Sequence, residues 1–245
     1  MRLIKEKTNI DFLSRSRRNI AIGLSIAFIA ISIASIATRG LNLGIDFTGG
    51  VLIEVHYPNA ADLNGIRQTL TNAGFERYVV QEFGNAQDVM VRLPPQPGED
   101  ANALRDSLFA MLADGDDSVE LRRVELVSAQ VGEELTEQGG LALIFSLLMI
   151  FAYVMFRFQW KFAMGAVAAL AHDVIVTIGF FSLTGISFDL SVVAAVLAVI
   201  GYSLNDTVVA FDRSRENCTK LRGVSPVEAM KTSIHEMLAR TIITG

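Results

Sequence analysis

The sequence has few of the features that usually hold or power a protein. Of its 245 residues only Cys218 is a cysteine, so no internal disulfide is available and the fold does not depend on an oxidising compartment. Five prolines and 19% charged residues, against the roughly 25% usual in soluble domains, leave little room for a disordered chain. There is no Walker loop, no Gly-x-Ser-x-Gly, no Cys-x-x-Cys and no His-Glu-x-x-His. ATP hydrolysis, acyl-enzyme chemistry, dithiol chemistry and zinc hydrolysis thus lack their usual carriers, and the chain reads as neither an enzyme nor a metal or cofactor protein. Lysine is missing between Gly40 and Gln138, where six arginines face seventeen carboxylates. The net charge of −5 is therefore a sum of unlike halves and does not point to nucleic acid.

What is present is 51% hydrophobic residues, crowded into runs long enough for a bilayer core, which needs about 20 residues in helical form. Residues 20–37 carry no charge and follow Arg15, Arg17 and Arg18. Ser35-Ile36-Ala37 loosely resembles a signal-peptide cleavage site, but the run exceeds the usual h-region of about 7–15 residues, so it reads as an uncleaved span. Further spans are expected over 139–156, 162–186 and 190–211. Thr241-Ile-Ile-Thr-Gly245 after Arg240 looks like the opening of a fifth at 240–245, so the chain reads as ending before the protein does.

Basic residues set the orientation. Arg2, Lys5, Lys7, Arg15, Arg17 and Arg18 lie in the first nineteen residues, Arg157 and Lys161 in the link after the second span, and Arg213, Arg215, Lys220 and Arg222 after the fourth. With four alternating spans these share one side, expected to be cytoplasmic. Residues 1–19 and an amphipathic connection over 212–239 then lie inside, and 40–138 lies on the far side.

That outer segment reads β-α-β-β-α-β. Strands are expected at 51–57, 78–83, 89–93 and 119–127, with a Gly84-Asn85 hairpin signal and helices over 61–73 and 102–112. A loop is expected at Pro94-Pro95-Gln96-Pro97-Gly98. The order is that of a ferredoxin-like α+β domain, with one sheet face open to a partner. Its only histidine, His56, stands alone in the sequence.

Ionisable residues inside a span cost at least about 2.5–3.5 kcal/mol, so they need a reason. His172-Asp173 sits in the third span and Asp206 in the fourth, close enough in depth to meet if the spans are neighbours. Asp206 is flanked by Tyr202, Ser203 and Asn205. Ala194, Ala198, Gly201 and Asn205 form a small-residue stripe that lets helices approach. Asp206 is therefore expected within a bundle, away from lipid and bulk water. Two readings remain open: a static ion pair with Arg240 that fixes packing, or a carboxylate whose protonation changes as helices move. Asp173 is the second candidate for that role. Gly44, Asp46, Gly49 and Gly50, in Gly44-Ile-Asp-Phe-Thr-Gly-Gly50, make either a tight lead-in to the first strand or a joint that transmits motion.

These motifs carry a resemblance. The Gly44–Gly50 segment, Ala171-His172-Asp173-Val174, the run from Ile200 through Asn205-Asp206 to Asn217, and Leu238-Ala239-Arg240-Thr-Ile-Ile-Thr244 all resemble the SecD/SecF family. The resemblance covers essentially the whole chain; the family normally has Ser where Gly245 stands. It implies a resistance-nodulation-division architecture with six spans and a part in protein export through SecYEG driven by the proton-motive force. The implied partners are SecD, SecYEG, YajC, YidC and the preprotein, in the bacterial inner membrane. By the same resemblance Asp206 is the proton-responsive carboxylate, Arg240 its charge partner and Asp173 a weaker candidate. The rivals are an exporter of a small hydrophobic compound and a purely structural scaffold for the export machinery.

Overall fold

The structure, a computed structural model, describes residues 14–75, 77–95, 101–113, 118–158, 160–221 and 223–244. Arg2, Lys5, Lys7, Arg222, Gly245 and residues 96–98 of the expected loop lie outside the described residues. Among the described residues four helices are long and apolar enough to cross a membrane: α1 (Arg15–Arg39), α5 (Ala129–Arg157), α6 (Trp160–Thr184) and α7 (Leu190–Lys220). The remaining elements are α2 (Ile45–Thr48), β1 (Gly50–His56), α3 (Leu63–Asn72), β2 (Val79–Phe83), β3 (Asn85–Leu93), α4 (Ala101–Ala113), β4 (Glu120–Val127) and α8 (Pro226–Thr244). The chain divides into a helical unit and a sheet unit, the latter made of residues 43–141 together with Ser187–Leu190.

Several helices outrun their apolar stretches. α5 starts ten residues before the expected span, where Ser128 Oγ accepts from the Val131 N–H. Its polar opening stretch, with Glu133, Glu134 and Glu137, is invisible to hydropathy. α7 runs past Phe211 because Glu216 pairs with Arg213 and Lys220 at i−3 and i+4. α8 continues through Arg240 without a break, so that arginine stands inside a helix and not at the start of one.

In the helical unit, α1 packs on α6 through small residues. A Cβ on Gly179 would lie 2.2 Å from Ser32 Cβ, so the backbones touch where no larger side chain fits. The buried Ser35 and Ser182 hydroxyls are 2.8 Å apart, and Ser182 Oγ donates to the Gly40 carbonyl at 2.7 Å. Leu170 of α6 packs against Val196 and Ile200 of α7, with Leu143 and Leu147 of α5 beside them. Further along, Val154, Phe158, Ala163 and Ala166 meet Leu204, Val208 and Phe211.

The sheet unit is a four-stranded antiparallel sheet of order β2-β3-β1-β4. Alternation sends Val51, Ile53 and Val55 of β1 and Val89, Val91 and Leu93 of β3 to the face covered by α3 and α4, where Leu70, Leu104 and Leu108 complete the core. β3 begins four residues before its apolar run, because its first residues close the hairpin: Asn85 Oδ1 accepts from the Gln87 and Asp88 N–H groups. The opposite sheet face is partly covered. Arg92, on that face, is only 8% exposed, and its guanidinium donates to Ser187 Oγ at 3.4 Å.

Candidate functional site

One of the two acids within the long apolar helices is built into a helix contact. On α6, Asp173 Oδ1 lies 3.0 Å from Nδ1 of its neighbour His172, and Asp173 Oδ2 accepts the Ser203 hydroxyl of α7 at 2.7 Å. Ser203 precedes Asp206 by one helical turn, so the serine that holds α6 shares a face with the second acid. Asp206 is half-buried. His172 Nε2 is buried without a hydrogen-bond partner among the described residues, and an orphaned buried nitrogen is costly.

The small-residue stripe lies on a different face of α7 from the contacts with α5 and α6. Ala194, Ala198, Gly201 and Asn205 are all exposed, as is Tyr202, while α7 packs through Val193, Val196 and Ile200.

Toward their charged ends, α7 and α8 are joined by polar groups. Buried Asn217 donates through Nδ2 to Ser233 Oγ at 3.0 Å and to Glu236 Oε2 at 2.9 Å, and Arg213 Nε donates to the same Glu236 oxygen at 2.6 Å. Asp206, Arg213 and Asn217 fall on one face of α7 at intervals of seven and four residues. Ser233, Glu236 and Arg240 similarly share a face of α8 at intervals of three and four. Arg240 itself is exposed. Across the α5–α7 contact, Arg157 pairs with Asp212 at 3.0 Å. Sequence reasoning missed Asn217, Ser233 and Glu236, although their spacing on two neighbouring amphipathic segments is a usable signal.

In the sheet unit, the Gly44–Gly50 segment is a single helical turn, α2, followed by two glycines. Gly49 and Gly50 have φ of 70° and 122°. A Cβ on Gly49 would sit 2.8 Å from Ala129 Cα, and one on Gly50 would sit 2.1 Å from the Leu93 carbonyl oxygen. Both conformation and space therefore require glycine. The turn meets residues 187–190: the Gly44 N–H donates to the Phe188 carbonyl at 2.7 Å, and the Leu190 N–H donates to Asp46 Oδ2 at 2.9 Å. On its other side Thr136 Oγ1 of α5 donates to the Phe47 carbonyl at 3.3 Å.

His56 is not isolated in space. Its Nδ1 lies 2.6 Å from Asp88 Oδ1 across the β1–β3 register, and Arg122 approaches the other Asp88 oxygen at 3.5 Å. The hydrogen bond with His56, helped by Arg122 and Asn85, holds the Asp88 carboxyl below the usual carboxylate range. Burial pulls the Arg92 guanidinium down from its ordinary value. It remains charged all the same, because arginine does not lose its proton in proteins. No group of three or more His, Cys, Asp or Glu side chains is placed to hold a metal among the described residues.

This architecture, four long apolar helices with a sheet domain and acids within the helices, defines a class of polytopic membrane proteins. Comparison with known proteins specifies the family. Residues 108–245 match the family described as protein export membrane protein SecD/SecF, C-terminal, and residues 34–57 match the SecD/SecF GG motif. The chain is 48% identical to the protein translocase subunit SecF of Vibrio alginolyticus, over 99% of this chain and 77% of that one. It is likewise 48% identical to SecF of Pseudomonas aeruginosa, over 93% of this chain and 74% of that one. The crystal structure of SecDF, a translocon-associated membrane protein from Thermus thermophilus, superposes with a TM-score of 0.86 at 30% identity. That alignment covers 99% of this chain and 33% of SecDF, so the chain spans about a third of SecDF's length. SecDF in a super-membrane-facing form matches at a TM-score of 0.65, again at 30% identity, over 97% of this chain and 32% of that one. The chain belongs to the SecD/SecF family of protein-export membrane proteins.

Proposed function

We propose that the chain is a SecF-type subunit of the Sec export machinery. In this reading it acts with a SecD partner at the SecYEG translocon, alongside YajC and YidC, and draws on the proton-motive force to complete preprotein passage across the inner membrane. Its N-terminus and α7–α8 connection face the cytoplasm, as the arginines at 15, 17, 18, 157, 213 and 215 favour. The sheet domain faces the periplasm. Its strand order, with β1 central beside β3 and β4, is that expected of a ferredoxin-like fold, and α8 with Arg240 opens a fifth span.

Asp206 is the proton-responsive group, Arg240 its charge partner and Asp173 an auxiliary acid. One observation carries this mechanism: the hydrogen bond from Ser203 to Asp173, one turn from Asp206, makes an ionisable group part of a helix–helix contact. Changing the charge nearby then changes the packing of α6 on α7. Proton entry releases about 2.3 kcal/mol per charge per 100 mV, enough for a few protons to bias a rearrangement of several kcal/mol.

The test is gradient-stimulated export in vesicles containing the full complex. Asp206→Asn abolishes the stimulation on this reading, and undiminished stimulation rejects it. A substrate-efflux defect in a deletion strain, with export intact, would favour the small-compound exporter.

A further inference from the structure

The proton reading leaves unexplained how an event at Asp206 reaches the sheet domain. The contacts around α2 supply a route within the sheet unit. Leu190 is the first residue of α7, and its N–H is one of the orphan donors of a helix start. Asp46 Oδ2 accepts that N–H at 2.9 Å. Phe188 is held by the Gly44 N–H, by a parallel bridge to Leu43 and by the Phe47 ring, whose centroid lies 6.0 Å away. Ser187 receives the Arg92 guanidinium of β3, and Asp189 lies within electrostatic reach of Arg123 on β4. On the opposite side, a Cβ on Gly132 of α5 would lie 2.7 Å from the Gly49 nitrogen. The glycine segment therefore touches the starts of two spanning helices and runs straight into the central strand β1.

We infer that Gly44–Gly50 and residues 187–190 form a clasp that moves as one body, with Asp46 the positioning residue that ties Leu190, the first residue of α7, to the segment leading into β1. Asp206 lies sixteen residues into α7, about 24 Å along a helix that does not bend easily. A shift of α7 driven at Asp206 therefore carries its first turn with it, and Asp46 delivers that shift to the sheet. The carboxylate suits this role because it satisfies an otherwise unpaired donor and complements the positive end of the helix. This inference rests on the proposed role of Asp206, but its structural half does not.

The test uses the full chain in complex with its partner subunits in membrane vesicles, comparing Asp46→Ala with Asp46→Asn. Asparagine keeps a side-chain oxygen to accept from Leu190, while alanine does not. In Asp46→Ala the first-turn amides of α7 exchange hydrogen faster by about five-fold. Gradient-stimulated export falls by about five-fold or more. Asp46→Asn stays close to wild type in both. A second arm introduces Gly44→Cys with Asp189→Cys, since a Cβ on Gly44 would lie 3.1 Å from Asp189 Cβ. A disulfide there leaves gradient-stimulated export intact if the clasp is rigid. Full stimulation in Asp46→Ala, equal damage in both Asp46 variants, or loss of export on forming the disulfide would each overturn the inference. If Asp206→Asn retains stimulation, the proton reading fails by itself. The exchange of the α7 amides in the Asp46 variants still judges the clasp.

Discussion

The Ser203 hydroxyl of α7 and the Asp173 carboxylate of α6 are 2.7 Å apart, inside two helices long enough to span a bilayer. Removing the donor leaves a carboxylate oxygen facing a methyl group. Ser203→Ala is expected to lower resistance to unfolding in detergent by about 0.6–1.7 kcal/mol, the range for hydrogen bonds between membrane helices. Ser203→Thr, which keeps the hydroxyl, stays near wild type in the same measurement. A Thr variant as weak as Ala would mean that the site responds to shape and not to the hydrogen bond.

The contact of α1 with α6 gives a prediction of opposite character, because here space is what matters. At Gly179 an added methyl meets Ser32 Cβ at 2.2 Å and Cα at 2.7 Å, and the latter is backbone that cannot swing away. Gly179→Ala should destabilise the helical unit by about 1–3 kcal/mol, as overpacking does elsewhere. Adding Ser32→Gly should recover part of that loss in thermal unfolding. Strict additivity of the two substitutions would show that they do not meet.

Four spans could be read from the sequence because a bilayer imposes a length that hydropathy measures. The helical extensions could not, since Ala129–Gln138 and Asp212–Lys220 are polar and remain helical through caps and ion pairs. Asp173, Ser203 and Asp206 stood out because charge and polarity are rare in lipid. The pairing of Asp173 with Ser203 was hidden, because it depends on which face of α7 turns to α6. Spacing suggested the stripe of Ala194, Ala198 and Gly201, while the contacts with α5 and α6 are made by Val196 and Ile200. The glycines at 44, 49 and 50 announced a constrained turn. Asp46 gave no sign of its partner, because Leu190 lies 144 residues away and offers only a backbone N–H. His56 looked solitary for a similar reason: strand register, not sequence proximity, brings it to Asp88.

That register also makes the sheet domain sensitive to acid. Asp88 has a carboxyl depressed first by its hydrogen bond to His56. A depressed carboxyl stabilises the fold in full above its unfolded pKa, about 3.9, and that contribution is lost as pH falls through the folded value. The exchange protection of the β1–β3 amides should therefore drop more steeply in acid for the wild-type chain than for Asp88→Asn. Above about pH 5, where the contribution is complete, the wild type should be the better protected of the two. Parallel profiles would remove Asp88 from the acid response.

The two roles open to Asp206 and Arg240 separate under exchange of their charges. Asn217 faces Ser233 and Arg213 faces Glu236, so the α7–α8 register runs on toward 206 and 240 on the same two faces. A static pair needs only opposite signs at these positions, so Asp206→Arg combined with Arg240→Asp would restore what either single variant loses. A proton-responsive acid needs more. Arginine keeps its proton at any physiological pH and cannot cycle beside Ser203. The new carboxylate on α8 would stand at an exposed position, one that does not share the Asp173–Ser203 contact. Gradient-stimulated export should therefore stay at least about ten-fold down in the exchanged protein, as in each single variant. Recovery of export on exchange would make the pair a brace between helices, and the source of movement would have to be sought in another subunit.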